Sequence, residues 1–194
     1  MTVYPYADYT EYVRAQRKGY RAKFRMCWAR EGNIAFIAKR IDDGKRKLGI
    51  CHGVRSGQEV AWFAKHLPRG SFVFGTEIGK PAEGMIFRWD FNKRNPAWLE
   101  VANFIYSNAF DHSFDPASTL RVWHEQLFAG GIIAIEHSSN HAKGPTETDP
   151  VSMSVYELSR MVREAGFADI DALALPEKVS DTVSDNVVVL GRKQ

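Results

Sequence analysis

The chain has 194 residues, 44% hydrophobic and 25% charged, with a formal net charge of +3 and two cysteines. That length can bury a full core, no apolar run approaches the roughly 20 residues that cross a bilayer, and Met1 to Asp8 contains no apolar leader stretch. Cys27 and Cys51 form neither a C-x-x-C nor a zinc spacing, so a disulfide scaffold, a spanning membrane protein and a cysteine–zinc domain are excluded, and a single domain in the reducing cytoplasm is expected.

The charge is unevenly spread: residues 1–47 hold 12 Lys/Arg against 5 Asp/Glu, and the remainder 14 against 18. Tyr12, Tyr20, Phe24, Met26 and Trp28 are interspersed with the basic residues, a pattern of an amphipathic helix rather than a disordered tail. Residues 1–45 are therefore expected to form a basic helical cap. Its charge serves either as a solvated face or as a surface for nucleic acid, a phosphorylated substrate or an acidic partner.

From Lys47 onward, strand and helix patterns alternate. Leu48-Gly49-Ile50-Cys51 reads as a buried strand that runs into Gly53-Val54-Arg55-Ser56-Gly57. Ser56 and Glu59 have capping-box spacing, and Val60, Phe63, Ala64 and Leu67 follow at helical intervals up to Pro68. Further strands are expected at Phe72–Phe74, ending near Glu77, at Met85–Phe87, ending near Asp90, and at Phe104–Tyr106, ending at Ser107-Asn108. Asp115-Pro116 opens a helix to about Phe128, Gly130-Gly131 ends it, and Ile132–Ile135 is the fifth strand. Ser154 and Glu157 cap a helix that stops at Gly166, and strands at Ile170–Leu175 and Val187–Leu190 complete the pattern.

Such alternation implies an α/β fold with a mostly parallel sheet, right-handed crossovers and helices on both faces, with ligands bound beyond the carboxyl ends of the strands. The polar residues gather at those ends. Gly53 and Gly57 permit close approach of a ligand to the backbone before a helix N-terminus. Glu77, 20 residues after Gly57, is placed to accept from both hydroxyls of a ribose, and Asp90 to accept from an exocyclic adenine amine. A plain turn and an unrelated surface carboxylate are the alternatives at these positions.

In order and spacing, these features over residues 47–192 resemble class I S-adenosylmethionine-dependent methyltransferases, the methyltransferase type 11 group in particular. The resemblance implies a Rossmann-like three-layer fold, a seven-stranded sheet with an antiparallel last strand after Asp185-Asn186, and S-adenosylmethionine as cofactor. It implies cofactor contacts from Gly53, Arg55 and Gly57 in the glycine loop, from Glu77 and Ile78 on ribose and adenine, from Asp90 and Phe91 on adenine, and from Ser107 after the fourth strand. The stretch Leu127 to Gly131 matches the turn into strand five. Two positions depart from the family's loop: Cys51 stands where an acidic residue is usual, and Arg55 where the middle glycine is usual.

For the chemistry, His112, His137 and His141 fall on the expected rim, and His112 is the candidate general base; a pocket-wall histidine is the alternative. Glu136, His137 and His141 lack an i, i+4 pair on a helix, so no metal is expected. The polar stretch from Ser138 to Pro150, with the N-terminal cap, is expected to roof the pocket, with Trp89, Phe91 and Trp98 as candidate lining. After strand four the sequence reads Ser107-Asn108-Ala109-Phe110, without the prolines of nucleic-acid amino methyltransferases, which favours a hydroxyl or amine of a small molecule or carbohydrate as acceptor. An RNA acceptor, a catalytically silent partner protein of the same fold and a nicotinamide-dependent oxidoreductase are the other readings.

Overall fold

The computed structural model describes residues 1–80, 84–178 and 185–194. A short strand β1 (Thr2–Val3) precedes helices α1 (Tyr9–Ala22) and α2 (Glu31–Ile41). Then come β2 (Leu48–His52), α3 (Gln58–His66), β3 (Phe72–Glu77), β4 (Ile86–Arg88), β5 (Ala102–Ser107) and α4 (Pro116–Gln126). The chain continues through β6 (Leu127–Ser138), β7 (Val151–Ser152), α5 (Val155–Glu164), β8 (Phe167–Ala174) and β9 (Asn186–Lys193).

Seven strands form one sheet in the order β4-β3-β2-β5-β6-β9-β8. β2 to β6 pair in parallel, and β9 runs antiparallel to both β6 and β8. The reversal of strand order beside β2 puts a crevice at the carboxyl ends of β2 and β5, the switch point where open α/β sheets bind ligands.

Side-chain alternation along each strand divides the core in two. Ile50, Phe74, Ile105, Ile133 and Val189 face α4 and α5, where Leu120, Trp123, Leu158 and Val162 are buried. Cys51, Val73, Phe104, Ala134 and Val188 face α2 and α3, against Ile34, Ile37 and Phe63. α1 belongs to neither layer. β1 pairs with β7, and α1 then crosses the carboxyl ends of the strands, whereas α2, which lies within the 1–45 segment expected to form the cap, packs on the sheet face because Ile34, Ile37 and Ile41 are buried against it.

The Ser154–Glu157 capping box and the Asp115 cap with Pro116 behind it form as expected. The Ser56 box does not. Gly57 is the N-cap of α3, with no side-chain cap bond, and Glu59 turns inward and is buried. α4 ends at Gln126 rather than near Phe128, because Leu127 already pairs with Ala102. The next registered pair is Phe104 with Ile132, so Gly130-Gly131 shapes an excursion within the strand rather than a helix stop.

Candidate active site

Three connected cavities lie at the switch point. The glycine loop shapes the first. Gly53, Arg55 and Gly57 have φ of 74°, 46° and 81°, so all three take the left-handed conformation. Arg55, in the position where glycine is usual, adopts it despite its side chain, a conformation that costs on the order of 1 kcal/mol. Its backbone N–H donates to a Glu77 carboxylate oxygen at 2.9 Å, and its guanidinium donates to Met26 O. Gly53 must lack a side chain, since a Cβ there would stand 2.7 Å from that of Ala109.

Glu77 ends β3, is 6% exposed, and also accepts from the Gly79 N–H at 3.1 Å. It lines a cavity of about 50 Å³ together with Gly53, Arg55, Ile78, Asp90 and Phe91. Six of the eight expected cofactor residues therefore share one space. Ser107 is not among them: it is fully buried, donates to His52 O and accepts from the Ala109 N–H, bracing the turn from behind. Asn108 and Ala109 form the wall instead. Gly57 also stands outside it, at the start of α3 with Ile86 where a Cβ would go.

The other wall is α1. Tyr9, Tyr12, Gln16, Tyr20 and Lys23 recur every three or four residues, which sets them on one helical face. Tyr9 donates to Asp90, Tyr12 to His112 O, Tyr20 to Lys80 O and Lys23 to Asp149. Arg14, Arg17, Lys18 and Arg21 point outward. Fifty cubic ångströms is well short of the ~300–1,000 Å³ of small-molecule sites, with α1 narrowing the space on one side. A smaller cavity of about 20 Å³, against Val54, Arg55 and Glu59, adjoins it above the loop. Burial raises the Glu59 carboxyl to about 7, and one of its oxygens has no partner.

The third cavity, about 320 Å³, is roofed by Ser138 to Asp149 and by Lys23 and Trp28, as expected for that polar segment. His112 lines all three spaces. Its Nδ1 stands 2.9 Å from the side-chain oxygen of Gln16, whose NH₂ group donates to Tyr6 and to Thr148 O. Nδ1 is therefore a donor, and Nε2 faces Asp149 at 3.4 Å and Asp111 at 4.0 Å. Burial pushes the Asp149 carboxyl up, but His112 and Lys23 outweigh it and hold it below the usual range. Glu136, at the end of β6, is 4% exposed and accepts from the Tyr106 hydroxyl at 2.9 Å; burial lifts its carboxyl to about 7. Burial and the neighbouring His141 depress His137 to about 4.

Of the aromatics offered as lining, Phe91 is at the site, whereas Trp89 and Trp98 pack together near Phe74 and Phe87. Gln16, Lys23, Asp111 and Asp149 were not singled out from sequence. They come from separate segments without a shared motif, and only the helical spacing of Gln16 and Lys23 with the tyrosines marked them.

No family model and no curated protein sequence matches the chain. Solved structures do. The chain is similar, at 18% identity and a TM-score of 0.78 over 98% of its length and 92% of the other, to 1,6-didemethyltoxoflavin-N1-methyltransferase of Burkholderia thailandensis, solved with 1,6-didemethyltoxoflavin and S-adenosylhomocysteine. A possible histamine N-methyltransferase from Thermotoga maritima matches at 18% identity over 96% and 100% of the two chains, with a TM-score of 0.59. A SAM-dependent methyltransferase from Aquifex aeolicus matches at 13% over 83% and 89%, with a TM-score of 0.63. The fold is that of the class I methyltransferases.

Proposed function

From this fold and the site it carries, we propose that the protein is an S-adenosylmethionine-dependent methyltransferase whose acceptor is a hydroxyl or amine of a small molecule or carbohydrate. One observation carries the reading: a buried carboxylate, Glu77, at the end of β3, tied to a left-handed glycine loop and bordering a cavity that meets a larger polar one at His112. The first feature suits the hydroxyl pair of a ribose, and the second suits an acceptor held beside the cofactor. Ile78 and Phe91 offer apolar flanks for adenine, with Asp90 at its edge. Glu59 brings a carboxyl to the loop, whose start has Cys51 in place of an acid, and it suits the ammonium end of the cofactor.

When bound, the cofactor's sulfonium group supplies an electrophilic methyl. The chain's part is to hold the acceptor in line and exclude water, where most of the acceleration of such a displacement originates. A proton leaving a hydroxyl or ammonium acceptor has two destinations in the cavity, Nε2 of His112 and the Glu136 carboxylate. Of the two, His112 lines both spaces and Glu136 the larger one only.

The similarity to a structure that holds a small heterocycle and S-adenosylhomocysteine supports a small-molecule acceptor. Among the described residues, no helix is long and apolar enough to cross a membrane, and two unpaired cysteines fit a cytoplasmic location. Calorimetric titration with S-adenosylhomocysteine, with NADH in parallel, tests the reading. Micromolar binding of the first alone is expected. Binding of NADH alone would replace the reading with an oxidoreductase, and binding of neither with a silent protein of the fold.

A further inference from the structure

The larger cavity contains a cluster of converging donor atoms, one of which has no hydrogen-bond partner. Asp111, His112 and Asp149 each turn a donor atom to one point, all within 4.8 Å of one another. The Asp111 side chain is one-tenth exposed, and its Oδ1 is buried without a hydrogen-bond partner. Its closest basic atoms, Nε2 of His112 and Nε2 of His141, stand at 4.0 and 3.8 Å, beyond hydrogen-bonding range. Gln16 Oε1 accepts from the Nδ1–H of His112, so in the neutral ring the lone pair at Nε2 faces two carboxylates. Converging buried acceptors are stabilised by a positive centre between them, either a proton on Nε2 or a bound cation.

We propose that Asp111, His112 and Asp149, with His141 beside them, bind a first-row divalent cation. Two donors about 2.1 Å from one ion and near the tetrahedral angle are about 3.4 Å apart, which is the His112–Asp149 spacing; Asp111, whose Oδ1 is 4.0 Å from His112 Nε2 in a set spread over up to 4.8 Å, has to move inward to join them. Two carboxylates with imidazole nitrogen make a mixed set suited to Mn²⁺, Fe²⁺ or Zn²⁺ rather than to Ca²⁺ or Cu⁺. Gln16 holds the first imidazole by its far nitrogen, as outer partners of metal-bound histidines do. Lys23 already contacts the cluster, donating to Asp149 at 3.0 Å. It neutralises Asp149 but leaves Asp111 unmatched, so it competes with the metal for one ligand only. The ion would sit on the wall of the acceptor cavity as a Lewis acid for an acceptor oxygen or nitrogen. Nε2 of His112 would then be a ligand, leaving the acceptor's proton to Glu136.

The inference does not depend on methyl transfer and is tested by binding. Chelator-stripped full-length protein is titrated with Mn²⁺, followed by electron paramagnetic resonance, and with Zn²⁺ by calorimetry. One site per chain in the micromolar range is expected. Asp111→Asn, which keeps shape and removes charge, should weaken it by about 100-fold or more, and Gln16→Ala by roughly 10–100-fold. Lys23→Met should tighten it, because the competing ammonium is gone. Glu164→Gln, on the exposed face of α5, should leave it unchanged. Melting curves confirm that each variant is folded. Absence of saturable binding up to about 1 mM, or an Asp111→Asn affinity equal to the parent's, overturns the proposal. So does a Lys23→Met variant that binds metal more weakly, since the cluster would then be an ion-pair network organised by Lys23. Binding of S-adenosylhomocysteine to the stripped protein is measured in parallel and is expected to persist, which keeps failure of the metal site distinct from failure of the methyltransferase reading.

Discussion

The cofactor-side cavity takes one wall from Gly53 to Arg55, from Glu77-Ile78 and from Asp90-Phe91, three segments that each end a parallel strand. The acceptor-side cavity takes its walls from the turn after β5, the end of β6, the Ser138–Asp149 segment and the C-terminal end of α1. In the first, strand geometry aims each residue, and its nearest partners are local or one crossover away: Glu77 binds the amides of Gly79 and Arg55. In the second, His112 is aimed by Gln16, 96 positions earlier, and faces Asp149. Residues that share one hydrogen-bond network, as His112, Gln16 and Asp149 do, couple when substituted, whereas distant ones act independently.

The largest test of that contrast is His112→Ala. It should lower turnover by about 10²–10⁴-fold, with S-adenosylhomocysteine affinity changed by less than about tenfold. Equal losses in both would make His112 a wall of the cofactor space and merge the two regions. Glu77→Ala should do the reverse, weakening cofactor binding by roughly 1–3 kcal/mol, about 5- to 150-fold. An unchanged affinity would remove Glu77 from the site.

A pH series sharpens the comparison, since each side has a buried carboxyl lifted to about 7: Glu59 by the loop and Glu136 by the acceptor. A carboxyl whose folded value lies above its unfolded one stabilises the fold fully below about pH 4.5 and loses that contribution as pH rises through about 7. Glu59→Gln and Glu136→Gln should therefore raise Tm by several degrees at pH 8, at roughly 2–4 °C per kcal/mol. Near pH 4 they should change it little. In kinetics, Glu136→Gln should alter the rate profile near neutrality, whereas Glu59→Gln should affect cofactor affinity.

The smallest effect concerns the cap. Tyr9 donates to Asp90 while α1 closes over the cofactor side. Tyr9→Phe removes about 1 kcal/mol of closure and releases Asp90 Oδ2, so cofactor affinity should rise a few-fold. A fall would mean that the Tyr9 hydroxyl itself contacts the ligand.

Much of the fold was legible because parallel strands, buried on both faces, show as apolar runs punctuated by glycine and capping residues. The runs at Leu48, Phe72, Ile86, Phe104 and Ile132 all lie in strands. Errors arose where local signals competed with pairing or packing. Ser56 and Glu59 have capping spacing, but burial of Glu59 against the sheet prevailed. Gly130-Gly131 mimics a helix stop, but Leu127 had already joined β5. Ser107 has the type and place of a ligand-binding residue, yet its hydroxyl is spent on the turn behind Ala109.

The same division holds for the site. Periodicity and strand-end chemistry determined the layered sheet and the shared space of Glu77, Asp90 and the loop, because these follow from φ/ψ preferences and the direction of successive strands. Tertiary structure alone decided that Asp111, His112, Asp149 and Gln16 meet, and that Glu136 is buried beneath the acceptor cavity. Their distances depend on how α1 and the Ser138–Asp149 segment close over the sheet. That closure is a sum of long-range contacts, and no short window of sequence encodes it.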